Sequence, residues 1–294
     1  MDLLCPKHFP DYELIDCGNF EKLERFGKYI AIRPEPQAVW DRSLTSVQWE
    51  DKAHVRFISN ANYEGTWKKL KPIPDSWQIS YPLPNGPVLN FKLALASFKH
   101  VGIFPEQAVH WDYIYDKISK LKAADKDSKP KFLNLFAYTG GASLAAKAAG
   151  ADVIHLDAIR QIVTWAKGNM ELSGLTDIRW LIEDAMKFVK REVKRGAKYQ
   201  GIILDPPAYG HGPNKEQWKL EDNINEMVKN VLKLLDERQH FIILNTYSLS
   251  FSSLIIENLM RREKGELRIG ELYLQANEGG KLPLGVFGRH SRGL

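Results

Sequence analysis

Residues 131–150, KFLNLFAYTGGASLAAKAAG, decide the reading of this chain. Phe132, Leu133, Leu135 and Phe136 make a short, nearly continuous apolar run, the pattern of a strand buried on both faces. The run ends in Tyr138-Thr139-Gly140-Gly141, and an Ala-rich helical segment over 143–149 stops at Gly150, a residue suited to ending a helix. Strand, glycine turn and helix together bring free backbone N–H groups and a helix N-terminus beside a ligand. Glycine keeps a Cβ from blocking the approach. Taken alone, the pattern equally describes a structural turn between strand and helix.

Working outward, residues 153–157, VIHLD, read as a second buried strand with an acid, Asp157, at its end. In nucleotide-binding α/β folds such a carboxylate accepts hydrogen bonds from ribose hydroxyls. A dinucleotide fingerprint would require Gly-x-Gly-x-x-Gly at the first turn, whereas here a single glycine pair is followed by Ala142-Ser143. A further buried strand, GIIL over 201–204, ends in Asp205-Pro206-Pro207. Two prolines fix φ and remove two donors, so the turn is stiff and its carbonyls stay free. An acid on so rigid a turn can accept a hydrogen bond from a substrate amine or hydroxyl.

From Phe91 to the C-terminus the chain resembles the class I S-adenosylmethionine (SAM)-dependent methyltransferases. Within them it is most similar to the bacterial ribosomal-RNA large-subunit methyltransferase group and its relatives. The likeness is carried in order by FKHVGIFPEQAVHWDYI (98–114), NLFAYTGGASLAAKAAGADVIHLDA (134–158), EDAMKF (183–188) and DPPAYG (205–210). It implies an α/β fold: a Rossmann-like sheet of seven strands, the last antiparallel, preceded by a small, mostly β domain. It implies SAM as cofactor and no metal. By the same resemblance Phe136, Ala137, Tyr138, Thr139 and Gly140 form the cofactor loop, and Asp157 and Ala158 meet the ribose. Asp184 would bond the adenine amine while the Ala185 N–H meets the ring; Asp184 also suits a helix N-cap with no ligand contact. Phe104 and Gln107 would line the pocket, Gln107 either touching the methionine carboxylate or packing the joint between domains. Asp205, Pro206, Pro207 and Tyr209 would form the acceptor side, with Asp205 also bordering the cofactor. Two positions depart from the family: Ala108 stands where an arginine is common, and Ala208 separates the second proline from the aromatic Tyr209.

The acceptor decides what else the chemistry needs. Carbon-5 of a pyrimidine is not nucleophilic, so its methylation requires a cysteine thiolate to add to the ring. Relatives with that activity carry the cysteine after the fifth strand; here the stretch is Asn245-Thr246-Tyr247-Ser248, and the two cysteines are Cys5 and Cys17. Transfer to nitrogen or oxygen remains, and the reading favours a nucleobase nitrogen of RNA, ribosomal RNA first. An extruded base would stack on an aromatic side chain. Two rivals are a methyltransferase for a small molecule or protein and a non-catalytic SAM- or RNA-binding module.

The totals bound the rest. A chain of 294 residues with 44% hydrophobic and 26% charged residues suits a globular protein of two domains, and a net charge of +5 permits an RNA partner without requiring one. No apolar run approaches the ~20 residues of a bilayer span, and MDLLCPKHFPDYE lacks the basic and apolar regions of a signal peptide. A cytoplasmic enzyme without a membrane partner is expected; the oligomeric state stays open. Residues 1–85 read as a β-rich N-terminal domain, 86–130 as a connecting segment and helix lining the cofactor site, and 131–294 as the methyltransferase domain. Residues 81–87, YPLPNGP, mark either a hairpin tip or the domain boundary. Arg56, Trp67, Lys68, Lys69 and Lys71 suggest either a nucleic-acid surface or a solvated edge. The stripe Lys187, Lys190, Arg191, Lys194 and Arg195 tracks phosphates or is merely the wet face of a helix. Residues 208–218 are a candidate lid, and Trp111, at helical spacing with Ile114 and Ile118, is expected in the core.

Overall fold

The apolar run that opens the key stretch forms the strand Lys131–Leu135, fully buried beyond its first residue, at the centre of a parallel sheet. The structure, a computed structural model, describes residues 1–59, 65–96, 99–247, 251–262 and 264–294. Across the sheet the strands run Ile178–Ile182, Asp152–Asp157, Lys131–Leu135, Gly201–Leu204, His240–Thr246, Lys281–Arg292 and Glu266–Glu278. The first five are parallel, and Lys281–Arg292 lies antiparallel between its two neighbours. This is the seven-stranded order with an antiparallel last strand that the sequence implies. Helices cover both faces, which is why the central strands are nearly all apolar. Two buried polar residues of the central strands, Asn134 and His155, meet at Ser143: the Asn134 amide donates to Ser143 Oγ at 2.9 Å, and Ser143 Oγ lies 3.0 Å from His155 Nδ1.

The two C-terminal strands are long, 13 and 12 residues, and this ties the molecule together. Glu266–Glu278 runs past its catalytic neighbours, and its far end pairs with the N-terminal strand Tyr12–Gly18, Ala276 opposite Leu14 and Glu278 opposite Asp16. The sheet then continues through Glu21–Phe26, Tyr29–Pro34, Val55–Ser59 and Gly65–Lys69. The N-terminal β region is therefore an extension of the catalytic sheet. Residues 81–87 turn out to be a hairpin tip joining Ser76–Pro82 to Val88–Ala94, whose second strand packs on the helix Arg160–Leu172. Trp111 is core, 4% exposed and stacked on Phe91.

Both basic surfaces carry ion pairs. On the helix Ala185–Lys194, Lys187 pairs with Glu216, Lys190 with Glu226, Arg191 with Glu183, and the following Arg195 with Glu192. Those charges are already matched. In the N-terminal sheet Arg56 is held by Glu21 and Glu50, Lys69 by Asp75, and the Trp67 indole donates to the Ala96 carbonyl. No helix of the described residues is long and apolar enough to cross a membrane.

Candidate active site

Parallel register brings the carboxyl ends of the central strands to one edge: Leu156, Leu135, Leu204 and Leu244 lie side by side. The chain leaves Lys131–Leu135 with neighbours on either side reached by opposite crossovers, the switch point where ligands bind in such sheets. The segments that follow these strands form the site.

The first is the loop 136–140. Phe136, Tyr138 and Gly140 all have positive φ, at 56, 49 and 95°. Two such angles at aromatic residues are costly and persist only where surroundings enforce them. Here the Tyr138 N–H donates to Asp157 Oδ2 at 2.9 Å, the Thr139 hydroxyl donates to the Gly102 carbonyl at 2.7 Å, and Asn169 donates to the Thr139 carbonyl. Phe136 packs on Trp218 and Tyr138 on Phe104. Gly141 must be small, since a Cβ there would stand 2.5 Å from the Trp111 ring.

Asp157 ends the second strand. Its other oxygen accepts from the Ile159 N–H at 3.0 Å, so both oxygens are oriented yet each keeps a lone pair for a further donor. Burial raises its pKa, while the N–H bonds from Ile159, Tyr138 and Ala158 oppose the rise. Asp184 follows the third strand and caps the helix Ala185–Lys194, one oxygen accepting from the Lys187 N–H at 2.8 Å. That N-cap bond uses one of its two oxygens. The fixed carboxylate at Asp157, the turned loop and Asp184-Ala185 beside them fit a nucleoside: acceptors for ribose hydroxyls and for an exocyclic amine, with a backbone N–H next to the latter.

Asp205 ends the fourth strand, across the loop from Asp157. Gln107 donates to its Oδ2 at 2.9 Å and Asn245 to its Oδ1 at 2.7 Å. Burial pushes Asp205 up to about 6, with the Asn245 bond pulling the other way. Gln107 thus spans from the short 3₁₀ turn Pro105–Gln107 to Asp205. Pro206 is buried, and the Pro207 carbonyl, free of any turn partner, accepts from the Trp218 indole at 2.7 Å. The candidate lid is a small hairpin, Tyr209–His211 against Gln217–Lys219. Tyr209 on it is 52% exposed, its hydroxyl beside His211.

Several residues at this edge escape sequence reasoning. Glu106 is buried and pushed up to about 7, chiefly by burial, with Glu24 and Asp205 adding to the rise. A buried ionic network from the N-terminal sheet faces it: Arg33 binds Glu24, Tyr12 donates to Glu24 at 2.8 Å, and Lys22 lies 3.2 Å from Glu35. Tyr247, just past the fifth strand, reaches across to donate to Glu35. Asn245 was singled out only for lacking a thiol. An amide in an otherwise apolar strand, IILNT, is the signal that it holds a partner. Ser248 and Phe98 lie outside the described residues. Among the described residues no group of three or more His, Cys, Asp or Glu side chains is placed to hold a metal ion.

Comparison with known proteins shows the family. The family model described as S-adenosylmethionine-dependent methyltransferase matches residues 60–247, more than half of the chain. A solved SAM-dependent methyltransferase from Agrobacterium tumefaciens is 35% identical, covering 99% of this chain and 93% of that one with a TM-score of 0.89. SMU.776, solved as a complex with SAH, has a TM-score of 0.72 over 97% of this chain and 76% of its own, at 15% identity, a likeness of fold. Among curated proteins, the ribosomal RNA large subunit methyltransferase K/L of Shewanella frigidimarina is 30% identical over 159 residues, 53% of this chain. That of Shewanella pealeana is 25% identical over 229 residues, 74% of this chain. The chain spans only 21% and 30% of the length of those two relatives.

Proposed function

The chain belongs to the S-adenosylmethionine-dependent methyltransferases, and on that premise we propose that it methylates a nucleobase nitrogen of RNA, ribosomal RNA first, in the cytoplasm and without a cysteine nucleophile. The observation that carries the reading is Asp205, whose carboxylate is gripped by Gln107 and Asn245 at the strand end beside the cofactor loop. Loop 136–140, Asp157 and Asp184 are assigned to the cofactor, with Phe104, Gln107, Ala158 and Ala185 around them. When bound, the cofactor supplies a methyl group on a sulfonium, ready for in-line displacement.

The protein's own task is then to place the nucleophile, which accounts for much of the acceleration in such reactions. Asp205 accepts the N–H of the acceptor amine, turning the nitrogen lone pair toward the methyl. The Gln107 and Asn245 amides keep the carboxylate from rotating. Pro206 and Pro207 hold the backbone under it, and Tyr209 offers its exposed ring to the base. Both thiols favour a mechanism without thiolate: Cys17 sits in the core strand Tyr12–Gly18 and is pushed up to about 11 by burial, and burial also raises Cys5. The names of the Shewanella relatives supply the choice of ribosomal RNA.

Asp205→Ala tests the assignment. SAM affinity should stay near that of the parent, while single-turnover transfer should fall roughly 30- to 150-fold, the equivalent of ~2–3 kcal/mol for one charge-assisted hydrogen bond. Equal losses of SAM affinity and rate would show that Asp205 braces the cofactor side instead.

A further inference from the structure

Behind Asn245 a second set of buried polar groups leads to the last strand. In the antiparallel pair of His240–Thr246 with Lys281–Arg292, Asn245 lies opposite Phe287 and Ile243 opposite Arg289. Asn245 and Arg289 are therefore diagonal neighbours on one face of the sheet. The helix Ala108–Ala124 packs over that face and sets His110 against the Phe287 ring, with centroids 5.6 Å apart. Asn245, His110 and Arg289 are all buried.

A guanidinium only donates, so its contacts decide the state of the imidazole. Arg289 Nε lies 3.1 Å and Nη2 2.7 Å from His110 Nδ1, and Nη2 also donates to the Val109 carbonyl at 2.7 Å. Nδ1 is then the bare, accepting nitrogen. Burial first, and the Arg289 charge second, hold the His110 pKa well below its ordinary value. A neutral ring with a bare Nδ1 carries its proton on Nε2. Neither His110 Nε2 nor Asn245 Oδ1, both buried, has a hydrogen-bond partner elsewhere among the described residues. Asn245 favours a proton on the ring, the effect of an amide oxygen turned toward an N–H.

That orientation matters to Asp205. With Oδ1 turned to His110, the Asn245 amide nitrogen is left to donate to Asp205 Oδ1 at 2.7 Å. Reversed, the amide would set its oxygen against the carboxylate and repel it. Burial lowers Arg289 to about 10; Tyr113, Asp112 and Asp2 favour its charge, and Arg268 opposes it. A buried cation aimed at an imidazole is costly for the fold, which suits a residue kept for what it orients.

We propose that Arg289 and His110 are positioning residues for methyl transfer: Arg289 fixes the His110 tautomer, His110 fixes the Asn245 amide, and Asn245 so oriented holds the Asp205 carboxylate. The proposal rests on the acceptor role given to Asp205 above and extends it by two residues.

The test follows single-turnover transfer against pH in the full chain. Arg289→Met should move the midpoint upward by about one unit, the scale of one hydrogen bond to a carboxylate. Well above the new midpoint, transfer should return to the parent's rate. Glu106, on the turn Pro105–Gln107, is the titratable neighbour that Asp205 acts on, so the shift is read as a difference. In the Asn245→Leu background, Arg289→Met should add no further shift. A midpoint left in place by Arg289→Met, or equal shifts with and without Asn245, overturns the relay and leaves Asp205 standing. A parent whose rate has no midpoint near 6 overturns the Asp205 reading instead. Nitrogen NMR of the histidine-labelled parent needs no variant to fold: His110 should carry its proton on Nε2 throughout the titration, and a proton on Nδ1 overturns the relay.

Discussion

At the scale of single residues, the role proposed for Asp205 makes the rate depend on its protonation. Its folded pKa, about 6, stands above the ordinary 3.8 because burial disfavours the charge. A carboxyl raised in this way contributes stability that is complete below about 3.8 and is lost as pH rises through about 6. Relative to Asp205→Asn, the parent protein should therefore lose stability over that interval, which urea denaturation at a series of pH values would reveal. Only the ionised form is a full acceptor, so single-turnover transfer should rise with pH around a midpoint near 6. Asn245→Leu removes the bond that favours the charge, so the midpoint should move upward. A midpoint that stays put in that variant would disconnect Asp205 from the rate. Asp157, Asp184 and Asp205 were legible as acids at strand ends; the grip on Asp205 was not. Gln107 and Asn245 sit far from Asp205 in sequence, and only the sheet order brings the three together.

At the scale of elements, the strand–turn–helix stretch shows why one pattern revealed so much. Its apolar run, glycine pair and Ala-rich helix are local features, and each became the element its pattern implied. The reason for Gly141 is not local: it is the Trp111 ring from another helix. Gly141→Val should overpack that contact and destabilise the fold by roughly 1–3 kcal/mol, measured as a lower urea midpoint; an unchanged midpoint would mean the helix pair gives way freely. Asp184 belongs here too, since its cap bond is now on the page. Asp184→Ala should cost about 1 kcal/mol of stability and, separately, SAM affinity in calorimetry. Loss of stability with no loss of affinity would reduce Asp184 to a cap. The candidate lid formed a hairpin because Trp218 donates to the Pro207 carbonyl and Leu220 N–H to Ala208, partners that loop composition does not reveal.

At the scale of the whole molecule, the catalytic and N-terminal sheets are one sheet joined by Glu266–Glu278. That strand alternates between buried and more exposed residues over most of its length and is exposed at both ends, the pattern of a half-buried strand. The buried Glu24 holds Arg33 and Tyr12 within the N-terminal sheet, and Arg33 reaches beyond it to donate to the Lys99 carbonyl. Glu24→Ala leaves a buried guanidinium unpaired and should cost about 3–5 kcal/mol. Because the sheet is continuous, that loss should appear as one urea transition shifted as a whole; two separate transitions would show that the halves fold independently.

The central claim is that this methyltransferase modifies a base nitrogen of ribosomal RNA, with Asp205 as the acceptor's partner. Mass mapping of modified nucleosides in ribosomal RNA from a strain lacking the gene and from its parent tests it most directly. The account predicts one N-methylated base present in the parent, absent in the deletion strain, restored by the intact gene and not by the Asp205→Ala variant. A missing 5-methylpyrimidine, or identical modification in both strains, would contradict it.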